Sequence, residues 1–181
     1  MAIVWFLLDN LFFLLVGAAL LRAWMNQSRL RMTQQPGLFV MAVTDWLVKP
    51  LRRAMPGLRQ SRLDWASLLA AALFALGHAL LLHLLGLLQG ADADPLLWLW
   101  SVPLQAMLFL LRTVLQGLMV MTLVYALLSW IQPFAPAGAV LARLLEPLLQ
   151  PLRRLLPRIG GVDLSALILM LLLQVLLLAL A

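Results

Sequence analysis

The sequence predicts an all-α membrane protein with four transmembrane helices in two parallel repeats, each repeat carrying an amphipathic cytoplasmic segment. Three observations predict it. Of 181 residues, 65% are hydrophobic and 11% charged, against roughly 45–50% and about 25% in a soluble domain. Four apolar stretches approach the length needed to cross a hydrocarbon core of about 30 Å. A basic motif stands between the first and second stretches and recurs between the third and fourth.

The first span runs from Ala2 to Leu21. Its start, Ala2 to Leu8, lacks a basic leader and a small-residue cleavage site, so it reads as a retained span and not a signal peptide. The following segment, Arg22 to Arg62, holds eight cations: Arg22, Arg29, Arg31, Lys49, Arg52, Arg53, Arg59 and Arg62. Trp65 to Leu88 is the second span. The loop Gln89 to Pro95 then has Asp92 and Asp94 and no cation. Pro95 to Leu111 is 17 residues long, contains Pro103 and leads to Arg112. That interruption predicts an interfacial or half-inserted helix leading into the third span, Thr113 to Ile131. Gln132 to Val162 carries Arg143, Arg153, Arg154 and Arg158, and Leu164 to Ala181 is the fourth span. By the positive-inside rule both basic loops are cytoplasmic and both termini face outward. Tryptophans mark the boundaries: Trp5, Trp24, Trp65 and Trp130 near span ends, Trp98 and Trp100 on the outer connection, and Trp46 in a basic loop, as expected for rings that prefer the interface.

The two basic loops share a frame. Lys49-Pro-Leu-Arg-Arg-Ala-Met-Pro56 reappears 101 residues later as Gln150-Pro-Leu-Arg-Arg-Leu-Leu-Pro157. Asp45 matches Glu146, Asp64 matches Asp163, and Trp24 matches Trp130. The chain therefore divides into a first repeat (1–90), an outer connection (91–112) and a second repeat (113–181). Both copies enter from the same side, which predicts a pseudo-two-fold axis along the membrane normal. Leu38 to Met55 and Ala139 to Leu156 read as short interfacial helices. Pro50, Pro147 and Pro151 should break or restart them, placing each Arg-Arg pair in a first turn, and Pro56 and Pro157 should end them. Asp64 and Asp163 stand where N-caps of the following spans belong.

The chain resembles the YggT family (YggT/YlmG-like) of small bacterial membrane proteins, which has chloroplast relatives. The resemblance is carried by Leu20-Leu-Arg-Ala-Trp-Met25, by Pro50-Leu-Arg-Arg-Ala-Met-Pro56 with Asp64, by Ser129-Trp130, and by Pro151-Leu-Arg-Arg-Leu-Leu-Pro157 with Gly160-Gly-Val-Asp-Leu-Ser165. The first copy departs from the family's Gly-x-x-Asp, reading Leu58-Arg-Gln-Ser-Arg-Leu-Asp64. The resemblance implies the bacterial inner membrane, in which the outward termini of this multi-pass chain would be periplasmic. It implies roles in osmotic stress and potassium homeostasis, or in cell division and envelope organisation. For plastid relatives the implied roles are nucleoid distribution or cytochrome haem attachment.

Several chemistries are closed by the residues themselves. Without cysteine there is no disulfide, thiolate metal site or cysteine nucleophile. Nucleophile elbow, phosphate loop, paired catalytic carboxylates and HExxH are all absent, so nothing supports an enzyme. The net charge of +6 lies beside apolar runs and points to anionic lipid headgroups, not nucleic acid. Polar groups within the spans are Asp9, Asn10, His78, His83, Gln105, Arg112, Gln116 and Gln174. His78 and His83 lie five residues apart, about 140° around a helix, so they cannot readily share an ion and no cofactor is expected. Interhelical hydrogen bonding is the nearer use, helped by close approach at Gly17, Ala18 and Ala19. Arg52, Arg53, Arg153 and Arg154 are expected to contact anionic lipid or an acidic partner such as an envelope or division protein. Alternatively they pair with Asp45, Glu146, Asp64 or Asp163 and hold the fold together. The leading functional expectation is a non-enzymatic membrane scaffold or accessory protein. The alternative is a transport-related protein aiding cation homeostasis, which would call for a homo-oligomer because four spans leave little room for a solvated path.

Overall fold

A computed structural model describes residues 2–30, 32, 36–55, 63–90, 95–132, 135–155 and 164–180. Among them the chain is wholly helical: α1 (Ala2–Gln27), α2 (Gly37–Ala54), α3 (Trp65–Leu88), α4 (Pro95–Ile131), α5 (Pro136–Leu155) and α6 (Leu164–Ala179). Three of these helices are long and apolar enough to cross a membrane, over Ile3–Gln27, Trp65–Leu88 and Leu97–Ile131, while α6 is apolar but shorter at 16 residues. Their outer faces expose Leu7, Leu11, Leu73, Leu84 and Leu127, an apolar exterior suited to lipid and not to water.

The helices fall into two compact units, residues 1–113 and 114–181. In the first, α1, α2 and α3 pack on one another, and the early part of α4 contributes Val102 and Ala106 to the same core. That core is built from small residues. Ala66, Ala70, Ala71, Ala75 and Ala79 line one face of α3 and meet Val16 and Ala19 of α1, which lets backbones approach closely where lipid supplies no hydrophobic force between helices. Helix α2 joins through Val40, Thr44 and Val48, buried at successive turns. In the second unit α5 packs against α6. Leu141, Leu144, Leu145 and Leu149 form the buried stripe of α5, and Ser165, Ala166, Leu169 and Leu173 that of α6.

Four features differ from the sequence expectation. Helix α1 continues past Leu21 to Gln27, and Arg22 is a buried side chain within it, not a loop cation. The stretch 95–111 and the third span are one continuous helix of 37 residues that contains Pro103. Likewise Pro50 lies inside α2, and Pro147 and Pro151 lie inside α5. As a result both Arg-Arg pairs occupy last turns, not first turns. A proline removes the bond to the carbonyl four residues back. Here all four prolines, and the residues Leu99, Trp46, Arg143 and Pro147 that carry those carbonyls, are exposed, so water or headgroups can take the orphaned acceptors. The arginines gain from their actual place, because cations stabilise the negative end of a helix. Pro56, Pro157, Gly160 and Asp163 lie outside the described residues.

The exit of α1 is a tight reversal. Leu30 N–H bonds to the Met25 carbonyl at 3.0 Å and Arg29 N–H to that of Asn26 at 3.1 Å, with Arg29 left-handed at φ 52°; this is the Schellman arrangement, in which glycine is favoured. A Cβ on Gly37 would fall 2.7 Å from Met32 Cα, so the chain entering α2 passes too close to itself for any larger residue. Arg29→Gly should raise stability by about 0.5–1 kcal/mol, the relief of left-handed strain less the added unfolded-state entropy. Gly37→Ala should lower it. Thermal melts of the purified protein in one detergent check both.

Candidate functional site

Three helices of the first unit converge on the Asp64 carboxylate, which stands at the N-cap of α3. Its Oδ1 accepts from Ser67 N–H at 3.3 Å, the capping role its position predicts. Its Oδ2 accepts from Ser67 Oγ at 2.7 Å, from Arg52 Nη2 of α2 at 2.6 Å and from Asn26 Nδ2 of α1. Only 9% of the Asp64 side chain is exposed. Burial alone would push its carboxyl up, but the Ser67 bond, the Arg52 charge and the Asn26 bond together hold it below the ordinary aspartate value.

One turn before Asn26 on α1, buried Arg22 donates from Nη1 to Thr44 Oγ1 at 2.8 Å and lies 2.9 Å from Asp45 Oδ1. Lys49 Nζ takes the other carboxylate oxygen at 2.7 Å. The Lys49 bond, reinforced by Arg22, outweighs partial burial and keeps Asp45 below its ordinary value. In the second unit Arg153 of α5 donates from Nη1 to Glu146 Oε2 at 3.0 Å and from Nη2 to the Tyr125 hydroxyl of α4 at 2.9 Å. A shallow cleft beside Tyr125 is lined by Leu128, Ser129, Gln132 and Ala139.

The four motif arginines thus separate into two kinds. Arg52 and Arg153 are held by carboxylates of the chain itself. Arg53 and Arg154 are exposed on the last turns of α2 and α5. On α2 the same outer side presents Phe39 and Trp46, 14 and 7 residues before Arg53 and within about 40° of it around the helix.

Within the spanning helices, Asp9 of α1 and His78 of α3 are brought together, with Oδ1 2.8 Å from Nε2. His83 is separate from them: its Nδ1 lies 2.9 Å from the Ala79 carbonyl and its Nε2 2.9 Å from Ser101 Oγ of α4. Arg112, Gln116 and Gln174 are exposed positions on α4 and α6. No group of three or more His, Cys, Asp or Glu able to hold a metal occurs among the described residues. Sequence reasoning missed Asn26, Thr44, Ser101 and Tyr125. The available signal was thin: Asn26 follows Arg22 by one turn, and Tyr125 is the chain's one tyrosine.

Removing the shared acceptor tests this arrangement. Asp64→Ala should cost about 2–4 kcal/mol, a lost cap plus a lost charge-assisted bond, whereas Asp64→Asn keeps the cap and should cost less. A depressed folded value means the carboxylate's contribution is complete above the ordinary value of about 3.9 and fades as pH falls through the lower folded one. Melting temperatures should therefore converge for wild type and Asp64→Asn only at strongly acid pH. The comparison is a melt series from neutral to acid pH.

The chain matches the family described as CCB3/YggT over residues 1–85 and 104–181. It is 36% identical over 173 residues to the protein named "Uncharacterized protein YggT" of Escherichia coli (strain K12), covering 94% of this chain and 85% of that one. A Vibrio alginolyticus protein, named for its place in the proC 3' region, is 30% identical over 170 residues, covering 93% and 88%. No solved structure matches.

Proposed function

The chain belongs to the CCB3/YggT family, and on that footing we propose that it is a non-enzymatic scaffold or accessory protein of the bacterial inner membrane. It acts through the exposed ends of α2 and α5 on anionic lipid headgroups and on envelope or division proteins. The observation that carries this reading is the split within each Arg-Arg pair: Arg52 and Arg153 are engaged by Asp64, Glu146 and Tyr125, while Arg53 and Arg154 stay exposed. An amphipathic helix with aromatic and basic side chains on its outer face suits the headgroup boundary, and each arginine near an anionic surface is worth about 1 kcal/mol. In this reading the chain's work belongs to osmotic stress and envelope organisation.

In this reading α6 is the fourth crossing. Its 16 residues rise about 24 Å, a small mismatch that local thinning of the bilayer absorbs. The two Pro-Leu-Arg-Arg segments are then cytoplasmic and the termini periplasmic.

Replacing Arg53 and Arg154 together with glutamine should weaken the preference for anionic over zwitterionic lipid about fivefold per arginine, the equivalent of about 1 kcal/mol each, with little change in melting temperature. Replacing Arg52 and Arg153 should instead lower the melting temperature. Native mass spectrometry of lipid adducts reads the first effect, and an unchanged lipid preference in the first double variant would remove this reading. Topology is checked separately with a reporter fused after Ala181 that works only in the cytoplasm. It should stay silent.

A further inference from the structure

The chain's two histidines sit in opposite chemical settings on the same helix. The Ala79 carbonyl can only accept, so His83 Nδ1 carries a proton, while Nε2 lies against Ser101 Oγ and the ring stands edge-on to Trp98. His78 instead directs Nε2 at a carboxylate, Asp9 Oδ1, at 2.8 Å. Phe109 stacks on its ring with centroids 4.0 Å apart, and Phe12 covers it at 5.2 Å. The His78 side chain is 5% exposed but that of Asp9 is 55% exposed, so the pair is walled on the imidazole side and open on the carboxylate side. Asp9 stands six residues beyond Ile3, where the first spanning stretch begins, about 9 Å along it.

We propose that Asp9 and His78 form a proton-binding site within the spanning helices. In the unloaded state Nε2–H of a neutral imidazole donates to the Asp9 carboxylate and the pair carries one negative charge. A proton reaching the exposed carboxylate converts Asp9 to the carboxylic acid and brings the pair to zero net charge, with Nε2–H still directed at Asp9 Oδ1. No other atom changes partners. Charge inside a membrane is costly unless compensated, so loading removes an uncompensated charge from the α1–α3 contact.

The surrounding charges are few among the described residues. Helix α1 brings Asp9 itself, with Asn10 turned onto the Phe6 carbonyl. Helix α3 brings His83, engaged as above. Helix α4 brings Phe109, and its nearest charged side chain is Arg112, three residues on at an exposed position. The ion pairs of α2 meet α1 at Arg22, 13 residues from Asp9 and about 20 Å along the helix.

This site does not depend on the lipid-anchoring role, and its test uses the whole protein in vesicles. His83→Gln leaves one histidine, so ring ¹⁵N signals report His78 alone. We expect the Nε2 signal to move reversibly with pH as its acceptor changes from carboxylate to carboxylic acid. We also expect Asp9→Asn, added to that variant, to abolish that movement. An Nε2 signal that does not move with pH, or that moves equally in Asp9→Asn, overturns the proposal. Should the variants fail to fold, wild type treated with dicyclohexylcarbodiimide decides the matter, because this apolar reagent adds to protonated carboxyls in lipid. Mass mapping should find Asp9 labelled several-fold more at acid than at alkaline pH, and labelling independent of pH overturns the site equally.

Discussion

The first unit depends on one carboxylate that three helices share. Asp64 caps α3 and at the same time takes Asn26 from α1 and Arg52 from α2, so the entry of one span fixes where the others end. In water, burial of apolar faces would hold such helices together. In lipid that force is missing, and shape fit plus directed polar contacts must replace it. The alanine face of α3 supplies the fit, and Asp64 with the neighbouring Arg22, Thr44 and Asp45 cluster supplies the direction. The clasp also explains why α2 lies against the bundle with Val40, Thr44 and Val48 inward, leaving Trp46 and Arg53 to face outward.

Polar groups elsewhere along the spanning helices follow the same economy. Thr113 and Thr122 turn their hydroxyls back onto the Phe109 and Leu118 carbonyls at 2.8 and 2.7 Å, a local bond open to threonine in a helix. His83 is absorbed by Ala79 and Ser101. Asp9 with His78 is different because its carboxylate is exposed and can take up a proton without its partner moving.

The sequence made α2 and α5 legible because their apolar residues recur at helical spacing. The structure starts α2 at Gly37 and α5 at Pro136, close to the expected Leu38 and Ala139. The capping position of Asp64 was readable for a similar reason, since it directly precedes an apolar run. What could not be read were contacts between distant positions: Asn26 with Asp64 is 38 residues apart and Asp9 with His78 is 69. Prolines misled in a consistent way. Pro50, Pro103, Pro147 and Pro151 look like breaks, but whether a proline interrupts a helix depends on whether its orphaned carbonyl is exposed, and that is settled by packing. Arg22 misled because a cation after an apolar run suggests the loop has begun, whereas partners on α2 draw it inside.

That burial of Arg22 imposes an order in time. Its hydroxyl partner Thr44 lies 22 residues later in the chain, so at synthesis rates of about 5–20 residues per second the guanidinium precedes its acceptor by about 1–4 seconds. During that interval α1 stands at the membrane with an unneutralised cation near its trailing end. The side chain must reach toward headgroups until α2 emerges and folds back. The tight reversal at Arg29 and the glycine at position 37 shorten the path of that return, so the first helix is released from its temporary dependence on lipid as soon as its own chain can replace it.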